Sequence, residues 1–262
     1  MRLVTFDRGG HRRLGAIFGG EVVDLPDAVG HPAFPTTLEA LVSSSRGSVM
    51  DAARAALERD EAYDCVVKRA RLLTPLYPQS LVAPGALDVE RRIVGPEDDV
   101  LWPEGAAWLD YEPMVAAVLG LELSRASVDD VVSSLFGFTL VNDWRARAAN
   151  GDPVETAEGL PLAIGPCVIT ADEANPQTMF IQVKVDGEEL MKGNLNGAAT
   201  NLFELIADAS RDLTLERGDA FALSPFAGAE GGPARQLWPG ALVELAAEGI
   251  GTLRNTVAAR SG

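Results

Sequence analysis

The sequence predicts a β-rich α+β protein, and three observations carry that expectation. Short runs of β-branched and aromatic residues, bounded by Gly, Pro, Asn and Asp, recur through the second half of the chain. Helical periodicity is confined to a few short segments. The 262 residues, 47% hydrophobic and 23% charged, suffice for a sizeable core with a smaller module beside it. Strands that follow one another with few intervening helices argue against a doubly wound sheet.

The elements follow in order. MRLVTF, RRLGAIFGG and EVVDL read as short strands, with turns at Gly9-Gly10 and Gly19-Gly20. TTLEALVSSS and SVMDAARAALERDEAY carry the helical repeat. Together they predict a small N-terminal α+β domain over residues 1–72. LLTPLYPQSLVAPG contains three prolines and reads as a linker feeding a strand into a second domain, residues 73–262. In that domain DVLWP, AWLDYEPMVAAVLG, SLFGFTLVND, CVITAD, MFIQVKVDGEEL, AFALSP and ALVELAAEGIGTLRNTV read as strands. VKVDGEEL is a hairpin turning at Asp186-Gly187. SVDDVVSSL is a helix capped by Ser127 with acidic residues in its first turn, and NLFELIADASRDL is a second, capped by Asn201.

Charge and composition narrow the function classes. The formal net charge is -16, which repels phosphate backbones and anionic lipid, so neither nucleic acid nor membrane is an expected partner. An anionic substrate stays open, because a bound divalent cation reverses the local sign. Cys65 and Cys167 lie far apart with no CxxC spacing, and read as reduced, partly buried thiols. No apolar run reaches the ~18 residues of a membrane span, and MRLVTFDRGG lacks the apolar core of a signal peptide, so a cytoplasmic protein is expected. The two histidines, His11 and His31, both precede residue 32. A general base or metal ligand in the main body is therefore a carboxylate, Lys, Tyr, Cys or water.

Two acidic clusters stand out. In LDYEPMVAAVLG, strand alternation puts Asp110, Glu112 and Met114 on one face. Asn142-Asp143 ends the apolar run FGFTLV. Carboxylates on apolar strands are costly unless solvated, paired or bound to a cation. They read either as water-facing strand ends or as oxygen ligands of a hard divalent cation. Arg145 and Arg147 either pair with Asp143 and Glu112 or hold a substrate carboxylate in a bidentate fork.

Taken together, these segments resemble the fumarylacetoacetate hydrolase family, almost from end to end. LDYEPMVAAVLG resembles that family's D-Y-E-x-E strand, GFTLVNDWRAR its G-Y-T-x-x-N-D-x-x-x-R, and PLAIGPCVIT its P-L-G-P segment. MRLVTFDRGGHRRLGAIFGGEVVDL, VKVDGEELMKGNLNG, TLERGD and LWPGALVELAAEGIGTLRNTV keep the family's order. The resemblance implies a mixed β-sandwich roll as catalytic domain, a homodimer, and a divalent metal held by two Glu and one Asp. Carried over, Glu112 and Asp143 are metal ligands and Met114 stands where the second Glu would be. The resemblance thus implies a weakly bound Mg²⁺ or Mn²⁺, since a thioether is a poor ligand for a hard cation.

The other departures are as sharp. The family's N-Y-x-x-H-x-x-E segment, which activates water, corresponds to GALDVERRIVG, with Glu90 near the His position and Ile93 near the Glu. Thr156 is nearest the family lysine, and LSPF, Leu223 to Phe226, replaces T-G-T-P. The resemblance implies Glu90 and Arg147 as catalytic groups and Met114, Arg145 and Phe226 as substrate contacts. The function expected is a divergent hydrolase, decarboxylase or tautomerase of a small 2-oxo or 1,3-dicarbonyl acid with a weak cation. The alternatives are a metal-free cyclase or isomerase, whose apolar pocket is formed by Met114, Ile93 and Phe226, and a non-catalytic relative.

Overall fold

The computed structural model describes residues 1–44, 47–83, 91–154, 160–198, 200–226 and 236–258. The N-terminal third opens on a meander, β1 (Arg2–Arg8), β2 (His11–Phe18) and β3 (Glu21–Asp24), whose two-glycine turns take the positive φ that such turns require. Three helices follow: α1 (Leu25–Val29), α2 (Leu38–Ser44) and α3 (Gly47–Leu57). Short strands β4 (Val66–Val67), β5 (Leu72–Leu73), β6 (Leu81–Val82) and β7 (Ile93–Val94) lead into the main body.

There β8 (Trp108–Leu119), α4 (Val128–Ser134), β9 (Leu135–Arg147) and β10 (Leu162–Thr170) are followed by β11 (Ile181–Val185), β12 (Glu188–Gly193), α5 (Leu202–Asp212), β13 (Ala220–Leu223), β14 (Leu242–Ala247) and β15 (Gly251–Thr256). The expected caps form. Ser127 and Asp130 make a reciprocal capping box on α4, and Asn201 accepts from the Phe203 amide at the start of α5. The hairpin β11–β12 turns at Asp186 and Gly187, both at positive φ.

Eleven strands form one mixed sheet, with the path β4-β3-β2-β1-β10-β9-β8-β13-β6 and with β5 on β1 and β7 on β10. A four-stranded sheet, β12-β11-β14-β15, lies against one of its faces. This is the expected β-rich α+β roll. Strand β5 falls at the boundary expected at residues 72 and 73, and it pairs with β1, while β1 pairs with β10. The sheet is thus continuous from the N-terminal strands into the main body.

Strand alternation gives the large sheet two apolar faces and two cores. Tyr111, Val115, Ala117, Phe138, Leu140 and Trp144 point toward the small sheet. Met114, Ala116, Val118, Val141, Leu162 and Ile164 point the other way, into a core shared with the N-terminal strands and helices. Close approach of β9 and β10 depends on Gly137, where a Cβ would lie 2.1 Å from the Ile169 carbonyl oxygen.

Three expectations differ from the structure. DVLWP is not a strand; Val100 alone makes an isolated bridge, to Val257, and Pro103 follows two residues after Leu101. EVVDL ends in a short helix rather than continuing as strand, because Asp24 caps α1 and Pro26 supplies a first-turn φ. The strand read as CVITAD begins earlier, at Leu162. Among the described residues, no helix is long and apolar enough to cross a membrane.

Candidate active site

The site is built on the longest strand pair. In β8–β9 the register partners are Asp110 with Arg145, Glu112 with Asp143, and Met114 with Val141. Asp143 is in turn opposite Leu162 of β10, and Leu162 is opposite Ile93 of β7. One face of the sheet therefore carries a polar row, Glu112–Asp143, followed by an apolar row, Met114–Val141–Ile164. The alternation read from LDYEPM holds: Asp110, Glu112 and Met114 share this face.

The carboxylates are buried and held by guanidinium groups. Asp143, 2% exposed at its side chain, accepts from Arg91 Nη1 at 2.5 Å on Oδ1 and from Arg145 Nε at 3.0 Å on Oδ2. Arg145 Nη2 lies 2.6 Å from Glu112 Oε2 and 2.9 Å from Asp143 Oδ2, so one nitrogen bridges the two acids. Arg91 also donates to the carbonyls of Trp144 at 2.7 Å, Leu160 at 2.7 Å and Pro161 at 3.2 Å, tying the entry of β10 to the end of β9. Such charge-assisted bonds offset the desolvation of a buried carboxylate, which unpaired would cost several kcal/mol. Asp110, one row further out, accepts from Arg147 Nη2 at a long 3.4 Å and from the Tyr111 amide at 2.8 Å. Among the described residues, Arg147 Nε is buried without a hydrogen-bond partner, as is Thr139 Oγ1 deeper on the same face.

The structure thus brings Glu112, Asp143 and Arg145 together, with Asp110 and Arg147 beside them. Met114 lies one row inward, 2% exposed, packed in the core with Val141 and Ile164. Burying its side chain contributes roughly 1.5–3 kcal/mol, whereas a Glu there would bury another charge. Ile93 packs against that same core, but Phe226 packs against the core on the other side of the sheet, with its ring over Gly193 of β12. Met114, Ile93 and Phe226 therefore do not form the common apolar pocket expected of them. Glu90 lies outside the described residues, as does Thr156.

Arg91 is the group that sequence reading missed. It stands beside Glu90 in GALDVERRIVG, and its contact with Asp143 spans 52 positions. Its one visible signal is a cation two residues before the strand that pairs with β10.

The described residues do not fit a divalent cation. Mg²⁺ or Mn²⁺ needs several hard oxygen ligands. Among the described residues no three His, Cys, Asp or Glu side chains group to hold one. Met114 offers sulfur, and both expected ligands, Glu112 and Asp143, are engaged by Arg145.

Comparison with known proteins places this geometry. A family model described as the C-terminal domain of fumarylacetoacetate (FAA) hydrolase matches residues 78–258. The oxaloacetate tautomerase YisK of Bacillus subtilis is 30% identical over 161 residues, covering 59% of this chain and 54% of that protein. The 2,4-didehydro-3-deoxy-L-rhamnonate hydrolase of Sphingomonas sp. is 30% identical over 172 residues, 62% of this chain and 60% of that one. The chain thus aligns with little more than half the length of these two relatives.

Among solved structures, maleylpyruvate hydrolase from Sphingobium sp. SYK-6, in complex with manganese (II) and pyruvate, superposes with a TM-score of 0.78 over the whole of both chains at 23% identity. Fumarylacetoacetate hydrolase from Exiguobacterium antarcticum superposes with a TM-score of 0.77 at 22% identity, covering 99% of this chain and all of that one. At these identities the likeness is one of fold, and it spans the N-terminal strands as well as the roll. With the family model covering more than half of the chain, the protein belongs to the fumarylacetoacetate hydrolase family.

Proposed function

We propose that the chain is an enzyme acting on a small 2-oxo or 1,3-dicarbonyl acid, and that it interconverts keto and enol forms or decarboxylates rather than hydrolysing a carbon–carbon bond. The observation that carries this reading is the buried row Arg145–Glu112–Asp143–Arg91, which combines fixed positive charge with a carboxylate, Glu112, that reaches the surface. Asp143 is bonded on both oxygens and acts as a fixed anion that orients the two guanidinium groups. Glu112 keeps 11% of its side-chain surface exposed and is the carboxylate suited to move a proton.

Tautomerisation asks for one proton removed from the carbon beside a carbonyl and one delivered to the enolate oxygen. Guanidinium groups in a site of low dielectric stabilise that oxygen as its charge develops. Hydrolysis asks in addition for an activated water, and Ile93, half-buried in β7, cannot activate one. The tautomerase among the relatives supports this choice, and the rhamnonate hydrolase keeps hydrolysis as its nearest competitor. The same reading takes a small molecule as partner, together with the homodimer that the family resemblance implies.

The test is to follow decay of the enol absorbance of oxaloacetate and of acylpyruvates, with the wild type and Glu112→Gln side by side. Acceleration that falls by about 10²–10⁴-fold in Glu112→Gln is the expected result. No acceleration over buffer across the panel, with or without added Mn²⁺, would leave the non-catalytic reading standing.

A further inference from the structure

Arg145 Nη2 lies within hydrogen-bond distance of one oxygen from each of the two acids, 2.6 Å from Glu112 Oε2 and 2.9 Å from Asp143 Oδ2. That is the space a cation bridging those oxygens would need, since Mg²⁺ requires its ligand oxygens at about 2.0–2.1 Å. We infer that the Arg145 guanidinium is a built-in cation: it takes the position between Glu112 and Asp143, excludes a divalent metal from it, and supplies positive charge to an anionic substrate there.

Three further observations support the inference. Arg91 binds the outer oxygen of Asp143 and three backbone carbonyls, so Asp143 cannot turn away to meet a metal without breaking that clamp. Met114 replaces oxygen by sulfur in the adjacent row and is buried in the core, so that position adds no anion to compensate a divalent charge. The cluster of two carboxylates and two guanidinium groups is formally neutral, so a divalent ion added to it would bring two uncompensated charges into a buried site.

A tethered cation differs from a metal in a measurable way. It cannot be chelated, and it stays charged at every working pH, so it attracts a carboxylate without metal. The class of ligand is therefore a small oxo-acid or dicarboxylate bound without metal. This half of the inference rests on the function proposed above, while exclusion of the metal does not.

The experiment titrates the full chain with Mn²⁺ by electron paramagnetic resonance, which reads the unbound ion, and with oxalate by calorimetry, in chelator-treated buffer. The wild type should leave the Mn²⁺ signal undiminished and should bind oxalate. Arg145→Lys keeps the charge and should still exclude Mn²⁺ while binding oxalate less tightly. Arg145→Ser should weaken oxalate by about tenfold to a hundredfold.

Met114→Glu alone should still exclude Mn²⁺, and Met114→Glu combined with Arg145→Ser should bind it, with thermal melts confirming that both fold. Equal Mn²⁺ binding by Met114→Glu and the double variant, or binding by the wild type, would overturn the inference. Should the metal pattern appear as expected while oxalate fails to bind the wild type, the exclusion of metal stands and the oxo-acid reading falls.

Discussion

Two clusters in this molecule pair two carboxylates with two arginines, and they do different things. In the N-terminal sheet, Asp24 and Asp27 face Arg8 and Arg13; Arg8 bonds both acids, and Arg13 Nη2 lies 2.5 Å from Asp27 Oδ1 and 3.0 Å from Asp24 Oδ1. Asp24 also accepts from the Asp27 amide at 3.1 Å and so caps α1. Arg8 and Asp27 are 52% and 45% exposed. In the main body, Glu112 and Asp143 face Arg145 and Arg91 on the middle strands of the sheet. Neither acid caps a helix.

A buried acid with a backbone task is explained by the fold. A buried acid without one calls for another reason, and the function proposed above supplies one: a polar row kept for substrate, with guanidinium groups as its counter-ions. The comparison also shows where exposure decides energy: Asp24 with Arg13 is as buried as Asp143 with Arg91, whereas Asp27, half-exposed, makes pairs that water screens.

The largest expected effect tests that contrast. Asp143→Ala leaves the donors of Arg91 and Arg145 without their acceptor in a buried site, so it should destabilise by about 3–5 kcal/mol in urea unfolding. Asp27→Ala removes only half-exposed ion pairs and should cost less than about 1 kcal/mol. Raising salt should narrow the Asp27 difference and leave the Asp143 difference nearly unchanged, since exposed pairs are screened and buried ones are not. Equal costs for the two substitutions would mean that the site cluster is as solvated as the N-terminal one.

Part of the site cluster was legible in the sequence, the N-terminal cluster was not, and the limit is physical. Strand alternation put Asp110, Glu112 and Met114 on one face, and the register of β8 with β9 bears it out. Ser127, Asn201 and Asp186-Gly187 carry local chemistry that a short window reveals, and all three form as read. The cap at Asp24 was equally local, followed at once by Leu25 and Pro26, yet the apolar run EVVDL masked it as strand. Arg91 had no such local signal. It reaches Asp143 because β7 runs parallel to β10, and a pairing across some fifty residues leaves no periodic trace. Phe226 was placed beside Met114 by family position, but the sheet lies between the two cores to which they belong.

A smaller effect separates the members of the site cluster. Arg147 contacts Asp110 at a long 3.4 Å, and among the described residues its Nε is buried without a partner. Arg147→Lys should therefore change stability by less than about 1 kcal/mol, far less than Asp143→Ala. A substrate that completes the bonding of Nε would show itself as weaker binding in Arg147→Lys, read as a raised KM with stability unchanged. An unaltered KM would remove Arg147 from the substrate contacts.

The smallest effect uses the two thiols, one in each region. Burial pushes the Cys65 thiol above its ordinary range, and the nearby Asp27 and Asp24 charges push it further. Cys167, buried in β10, is pushed up to about 12, chiefly by burial. A thiol whose folded pKa is raised is held neutral, so its stabilising contribution is complete below the unfolded value of about 8.5 and is lost as pH rises from there toward 12. At pH near 8, iodoacetamide should label Cys65 slowly and Cys167 only on unfolding, because the thiolate is the nucleophile. Asp27→Asn removes one of the negative charges facing Cys65 and should speed its labelling, whereas Asp143→Asn, in the other cluster, should leave it unchanged. Peptide mass spectrometry after timed labelling reads both rates in one sample. Equal acceleration by the two substitutions would mean that Cys65 reports loosening of the whole fold rather than the local field of its own cluster.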